Sequence, residues 1–251
     1  MDECRMVNLS EKVVLVTGAS SGIGKAAAIE FAQRGASVVL AARRQERLEE
    51  VCREISAFSD KCIYVRADVT VCDDVVRMFD EAVEKFGRVD ILVNNAGCGL
   101  KKEIAEIEPS EWDKVIDVNL RSVFLCCREA IRRMTAADIE GHIITVCSIA
   151  GLYGVGGYSA YCAAKHGVTG FMRSCKWEVR KRGIKVSTIF PMRVDTEFFA
   201  GYAKKPAKKE MLSAKDLADD IVAVARQSLL DIVKVRYTNF CKRVGAFLFN
   251  R

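Results

Sequence analysis

A chain of 251 residues, half of them hydrophobic, is long enough to bury one substantial core, and with three prolines and no Pro-, Gly- or Ser-rich stretch it lacks the composition for a long internal linker. The formal charge of +6 is a modest excess, too dispersed to imply a nucleic-acid partner, and no apolar run is long enough to be read as a transmembrane segment. The expected organisation is one unit over 1–251, with a variable tail over 231–251 for substrate or oligomer contact.

Eleven cysteines at irregular spacings form no zinc pattern, and Cys126 and Cys127 are adjacent, so no metal is expected. Many lie in apolar segments, where a free thiol behaves as a small hydrophobe and suits a reducing compartment. Met1 to Arg5 lacks the apolar core of a signal peptide, which makes the cytoplasm the expected location.

Strand and helix signals alternate along the chain. Val13 to Thr17 is a short β-branched run, followed by Gly18-Ala19-Ser20-Ser21-Gly22-Ile23-Gly24 and a helical pattern over Lys25 to Arg34 that stops at Gly35. Ser37 to Ala41 predicts a second strand, Glu46 to Phe58 a helix and Cys62 to Arg66 a third strand. Asp73 to Phe86 is helical with Gly87 as its cap, and Ile91 to Val93 is a buried strand. Glu111 to Arg133 predicts a long helix, with an interruption expected near Asn119. His142 to Cys147 is a strand, Tyr161 to Arg182 a helix ended by Gly183, and Lys185 to Phe190 another strand. Ala214 to Leu230 gives the last helix, and Val233 to Tyr237 a final short strand. This alternation predicts an α/β fold, a doubly wound, mostly parallel Rossmann-like sheet covered on both faces.

The glycine segment follows a strand and opens a helix, where exposed N–H groups can receive a pyrophosphate. Gly18 and Gly22 permit an unusual backbone, while Gly24 lets the helix approach the sheet, although the spacing is GxxxGxG rather than GxGxxG. Roughly 20 residues on, where an NAD site places an acid, the chain reads Leu40-Ala41-Ala42-Arg43-Arg44. Arginine offers a planar donor pair for a 2′-phosphate, so NADP(H) is expected, with Arg43 ahead of Arg44 as its contact. A solvated helix start is the structural alternative for both.

Tyr161 and Lys165 lie four residues apart and share a helix face, a spacing that many ordinary helices contain. Ser148 at a strand end and Asn119 in an earlier helix give the pair its significance. With these residues in place, the sequence resembles the classical short-chain dehydrogenases/reductases. The matching stretches are Thr17 through Gly24, Asp68-Val69, Asn94-Asn95-Ala96-Gly97, Asn119, Ser148, Tyr161 through Lys165 and Pro191 through Thr196, in the family's order and across nearly all of the chain before the tail.

The resemblance implies a catalytic set of Asn119, Ser148, Tyr161 and Lys165. Tyr161 is the expected proton donor in carbonyl reduction and acceptor in alcohol oxidation, with Ser148 holding the substrate oxygen. Lys165 is expected to lower the tyrosine's proton affinity and contact the nicotinamide ribose, and Asn119 to support a water-linked relay. Gly18, Ser20, Ser21, Gly22, Ile23, Gly24, Arg43, Arg44, Asp68, Val69, Asn95, Ala96, Gly97, Tyr161, Lys165, Pro191, Val194 and Thr196 are the expected cofactor contacts. Met192 stands where the family commonly has glycine, and Cys147 where it often has serine. His142 and His166 are expected to be structural. A homodimer or homotetramer is implied.

The expected pocket borders are Cys98 through Leu100, Ile149 through Tyr158, Met192, Arg193 and the stretch from Glu197 to Lys209, with Leu152, Tyr153, Val155 and Tyr158 as apolar area. Lys204, Lys205, Lys208 and Lys209 form a basic run, either a solvated loop or an attractor of anionic substrate. The resulting expectation is an NADPH-dependent carbonyl reductase acting on a partly apolar substrate. A 3-oxoacyl thioester reductase and a catalytically weak NADP-binding regulatory or scaffold protein are the alternatives.

Overall fold

The computed structural model describes residues 6–199, 211–227 and 233–236; the lysine run at 204–209 and the tail beyond 236 lie outside them. Short aliphatic runs form β1 (Val13–Thr17), β2 (Ser37–Ala42), β3 (Cys62–Arg66), β4 (Ile91–Asn94), β5 (His142–Val146), β6 (Lys185–Pro191) and β7 (Val233–Arg236). The described residues thus make one seven-stranded sheet, ordered β3-β2-β1-β4-β5-β6-β7 with every pairing parallel. β1, β4 and β5 are buried along their whole length, as strands covered on both faces must be.

The helices are α1 (Gly22–Gln33), α2 (Gln45–Ser56), α3 (Cys72–Phe86), α4 (Pro109–Ile116), α5 (Ser122–Ala136), α6 (Ser159–Val179) and α7 (Ala214–Ala225). On one face of the sheet, Phe31, Leu48, Ile55, Leu217 and Ile221 from α1, α2 and α7 form a core. On the other, Met78, Phe79, Cys127, Met134 and Met172 come from α3, α5 and α6. The second core is rich in sulfur, with Cys127 Sγ 4.0 Å from Met172 Sδ. Burial pushes the Cys126 thiol up to about 12, so this cysteine is inert packing material.

Two boundaries differ instructively from the sequence pattern. α1 begins at Gly22 rather than Lys25, so its first turn belongs to the glycine segment itself. The long helix expected over 111–133 is α4 and α5 joined by a π-helical turn at Asp117–Arg121, which contains Asn119. The extra residue of such a turn lets an inward side chain meet a loop that a regular helix would face away from.

The chain runs β1, β2, β3 to one edge and then returns to place β4 beside β1. Connections after β1 and β4 therefore leave in opposite directions, opening a crevice at the carboxyl ends of these strands. Its floor is fastened across the two strands. Thr17 Oγ1 accepts from the backbone N–H groups of Asn95 at 3.0 Å and Ala96 at 3.2 Å, while Asn95 Nδ2 donates to the carbonyls of Thr17 at 3.0 Å and Gly18 at 3.3 Å.

At the opposite end of the sheet, His142 is buried with Nε2 2.9 Å from Ser187 Oγ. Burial, with the Lys185 charge adding to it, pushes its pKa down to about 3. The unfolded chain's imidazole takes up a proton near pH 6.5 whereas the folded one does not, so stability falls as pH drops from about 6.5 towards about 3. Between pH 7 and pH 5 this group is expected to remove about 2 kcal/mol of unfolding free energy, measured by urea titration. His142→Asn should flatten that slope relative to the parent chain.

Candidate active site

The loop after β1 reaches its shape through positive backbone angles at Gly18 (φ 66°) and Gly22 (φ 54°). A side chain at Gly18 would place Cβ 2.9 Å from Ala96 Cα, so the loops after β1 and β4 touch backbone to backbone. Gly24 faces inward: its Cβ would lie 2.4 Å from the Gly18 carbonyl oxygen. The resulting cleft has a volume of 690 Å³ and is lined by Gly18, Ser20, Ser21, Gly22 and Ile23 along one wall and by Asn95, Ala96 and Gly97 along the other. Gly24 does not reach it; this residue lets the helix settle against the turn.

The β2 end of the cleft carries Arg43, Arg44, Asp68 and Val69. Arg43 projects outward with 66% of its side chain exposed, its Nη1 3.9 Å from Asp68 Oδ2. Arg44 instead folds back on the glycine turn, donating to Ser20 Oγ at 3.1 Å and Ser21 Oγ at 2.7 Å. Its Nη1 donates to Glu197 Oε2 at 2.9 Å, and Arg47 Nη1 reaches the other oxygen of that carboxylate at 3.2 Å. The paired guanidiniums, Arg44 foremost, hold the Glu197 carboxyl below the usual carboxylate range.

A second compartment of 260 Å³ continues from the first, sharing Ile23, Asn95, Gly97, Thr196 and Phe198 with it. Asn119, Ser148, Tyr161 and Lys165 all line it, together with Pro191 and Val194. α4 fixes the start of α6 through Val115 packed on Ala160 and Ala164, with Tyr161 at the margin of this cluster. One turn after Tyr161, the Lys165 ammonium stands 5.6 Å from the centre of the phenol ring and donates to the Val146 carbonyl at 3.4 Å. Lys165 is buried, and removal from water lowers its pKa, with Cys147 and Cys98 opposing that shift. Ser148 caps the turn that follows β5, its Oγ accepting from Ala150 N–H at 3.1 Å.

Asn119 is fully buried and clamps the loop after β4: Nδ2 donates at 2.9 Å to the carbonyls of Cys98 and Val115, and Oδ1 accepts from Cys98 N–H at 3.3 Å. A Cβ at Gly97 would lie 2.9 Å from Asn119 Oδ1. Asn119, Gly97 and Lys165 are thus neighbours although they come from three separate segments.

A sequence profile described as short chain dehydrogenase matches residues 12–207. The chain belongs to the short-chain dehydrogenase family. It is 40% identical over 192 residues to a 3β-hydroxysteroid dehydrogenase of Mediterraneibacter gnavus, covering 76% of this chain and 69% of that one. An oxidoreductase of Staphylococcus epidermidis is 35% identical over 222 residues, 88% of this chain and 94% of its own. Among solved structures, a short-chain dehydrogenase/reductase of Mycobacterium marinum superposes with a TM-score of 0.85 at 30% identity, covering 91% of this chain and 93% of its own. A 3-ketoacyl-(acyl-carrier-protein) reductase of Brucella melitensis, complexed with NADH, does so with 0.82 at 32% identity, covering 89% and 94%. Members of the short-chain dehydrogenase family bind a nicotinamide cofactor and are oxidoreductases.

The cleft brings together the residues expected to carry catalysis or contact the cofactor, apart from the inward Gly24. Within the expected border over 149–158, Ile149, Ala150, Val155 and Tyr158 line the pocket. Leu152 and Tyr153 do not: after the tight turn at Ile149–Gly151, Leu152 packs against the sulfur-rich core. The Glu197 clamp on Arg44 and the Phe198 ring 5.6 Å from that of Tyr161 have no local sequence signal, because their partners are distant in the chain.

Gly24→Ala should force the helix off the turn and lower stability by about 1–3 kcal/mol in chemical denaturation. Gly154→Ala, where an added Cβ meets nothing within 4 Å, should stay within about 0.5 kcal/mol of the parent.

Proposed function

We propose that this oxidoreductase is an NADPH-dependent carbonyl reductase, and in the reverse direction an alcohol dehydrogenase, with Tyr161 as its acid and base. The observation that carries the reading is the gathering of Tyr161, Ser148, Asn119 and buried Lys165 in one compartment continuous with the glycine-lined cleft. The cleft residues fit a dinucleotide: small residues admit its backbone, the first turn of α1 offers N–H groups to a pyrophosphate, and Arg43 and Arg44 offer donors to a 2′-phosphate. Asp68, Val69, Asn95, Ala96 and Gly97 line the adenosine-to-ribose path in this reading, and Pro191, Val194 and Thr196 border the nicotinamide end. The bound cofactor supplies or accepts the hydride.

The protein's own part is proton transfer and orientation. Ser148 holds the substrate oxygen, and Tyr161 donates the proton that completes an alcohol or removes it from one. A positive Lys165 beside the phenol stabilises the tyrosinate over the neutral phenol. The burial that lowers the proton affinity of Lys165 also makes this ammonium readier to pass a proton on. Asn119 keeps Cys98 and the π-helical turn rigid, which supports a water-linked relay to Lys165.

Ile149, Val155, Tyr158, Met192 and Phe198 surround the reacting end with apolar surface, suited to a ketone or secondary alcohol of apolar body. The likeness to a protein named as a hydroxysteroid dehydrogenase supports this class. Reduction of a 3-oxoacyl thioester is the second reading, favoured by the likeness to a 3-ketoacyl reductase. The same proposal takes 1–251 as one cytoplasmic cofactor-binding and catalytic unit that assembles as a homodimer or homotetramer. Exposed Phe124 on α5 and Trp177 on α6 are aromatic surface suited to such an assembly.

NADPH oxidation should be seen across a panel of apolar ketones and acyl thioesters, with NADH clearly inferior. Tyr161→Phe is expected to lower turnover by about 10²–10⁴-fold while cofactor binding stays within a few-fold. Tight NADPH binding without turnover on any substrate would instead favour a regulatory role.

A further inference from the structure

Three arginines and two carboxylates meet at the β2 end of the cleft, and their pairing is uneven. Arg43 stands outermost, with Asp68 Oδ2 at 3.9 Å. Glu197, brought in from the turn after β6, takes Arg44 on one carboxylate oxygen at 2.9 Å and Arg47 on the other at 3.2 Å. Both ion pairs remain close to half exposed, at 47% for Arg44 and Glu197 and 49% for Arg47, so a solute anion can approach them.

We propose that Glu197 is a specificity-determining residue, an internal anion that holds Arg44 and Arg47 and that the 2′-phosphate of the cofactor must displace. The inference rests on the NADP(H) reading above and names the group that sets its strength. Among the described residues, three guanidiniums against two carboxylates leave one net positive charge. A phosphate monoester carrying about two negative charges over-neutralises that cluster if Glu197 stays, and balances it once Glu197 leaves. Arg44 is held in position for the exchange by Ser20 and Ser21, whose hydroxyl oxygens accept from its Nη2. With those oxygens engaged as acceptors, the hydroxyl protons remain available to donate to a phosphate.

The geometry makes the effect selective. A cofactor without the 2′-phosphate has no anion to offer Arg44 at this place, so it gains nothing from releasing Glu197. The clamp therefore lowers affinity for the phosphorylated cofactor alone and narrows the preference between the two. Exposed ion pairs are individually weak, which sets the scale of the exchange at a few-fold rather than thousands.

The test titrates parent chain, Glu197→Gln and Glu197→Ala with NADPH, NADH, 2′,5′-ADP and 5′-AMP, following cofactor fluorescence or binding heat. Both variants should bind NADPH and 2′,5′-ADP about fivefold more tightly, with NADH and 5′-AMP within about twofold of the parent. Thermal melts of the free variants check that the fold is kept, and agreement between Gln and Ala separates loss of charge from loss of packing. Unchanged or weaker binding of 2′,5′-ADP in both variants overturns the proposal, as does weaker NADH binding, which would make Glu197 a ribose contact. A parent chain that fails to distinguish 2′,5′-ADP from 5′-AMP fails the NADP(H) reading itself, whatever the variants do.

Discussion

The site rests on the bond set between Thr17 and Asn95 that joins the ends of β1 and β4. In a doubly wound sheet the two strands at the switch point send their chains to opposite sides, and nothing in the strand ladder itself keeps the loops together beyond the last pair. Here a threonine hydroxyl accepts two backbone N–H groups and an asparagine amide answers with two backbone carbonyls. These bonds satisfy polar groups that the departing chains would otherwise leave without partners, and they set the width of the cleft floor. The close approach of Gly18 to Ala96 follows from the same fastening, as does the need for small residues on both walls.

Downstream of that constraint, the Tyr161 end of the cleft is an exercise in holding a charge inside protein. Lys165 is buried, with the Val146 carbonyl accepting from its ammonium and the Tyr161 ring beside it. Such a charge is costly unless its environment is fixed, and the Asn119 clamp and the π-helical turn supply a rigid wall next to it. Cys147 occupies the strand end beside Ser148 as a packed thiol, its Sγ 3.4 Å from the Lys165 carbonyl. Met192 lines the same compartment as Tyr161 and Lys165 with polarisable apolar surface.

The opposite end of the cleft has the reverse character: open, charged and held together by groups from two distant segments. Arg44 belongs to the turn after β2, and Glu197 to the turn after β6 that also carries Phe198 against Tyr161. The two ends of the cleft are thereby connected through three consecutive residues, Thr196, Glu197 and Phe198, each of which lines the cleft.

Much of this was legible in the sequence because it is written locally. Strand runs, helix periodicity and the Gly35, Gly87 and Gly183 stops follow from side-chain burial on one face and from backbone freedom at one position, so the parallel sheet was readable without coordinates. The Tyr161 and Lys165 pair needed only one turn of helix, and the glycine turn only its place between a strand and a helix. What the tertiary structure decided are the meetings between segments: Asn119 with Cys98, Leu152 with the core instead of the pocket, Gly24 with Gly18 rather than the cleft, and Arg44 with a carboxylate 153 residues away. Periodicity fixes which face of an element is buried, but it carries no information on which loop comes to lie against another. That is set by the packing of the sheet and its two helical layers.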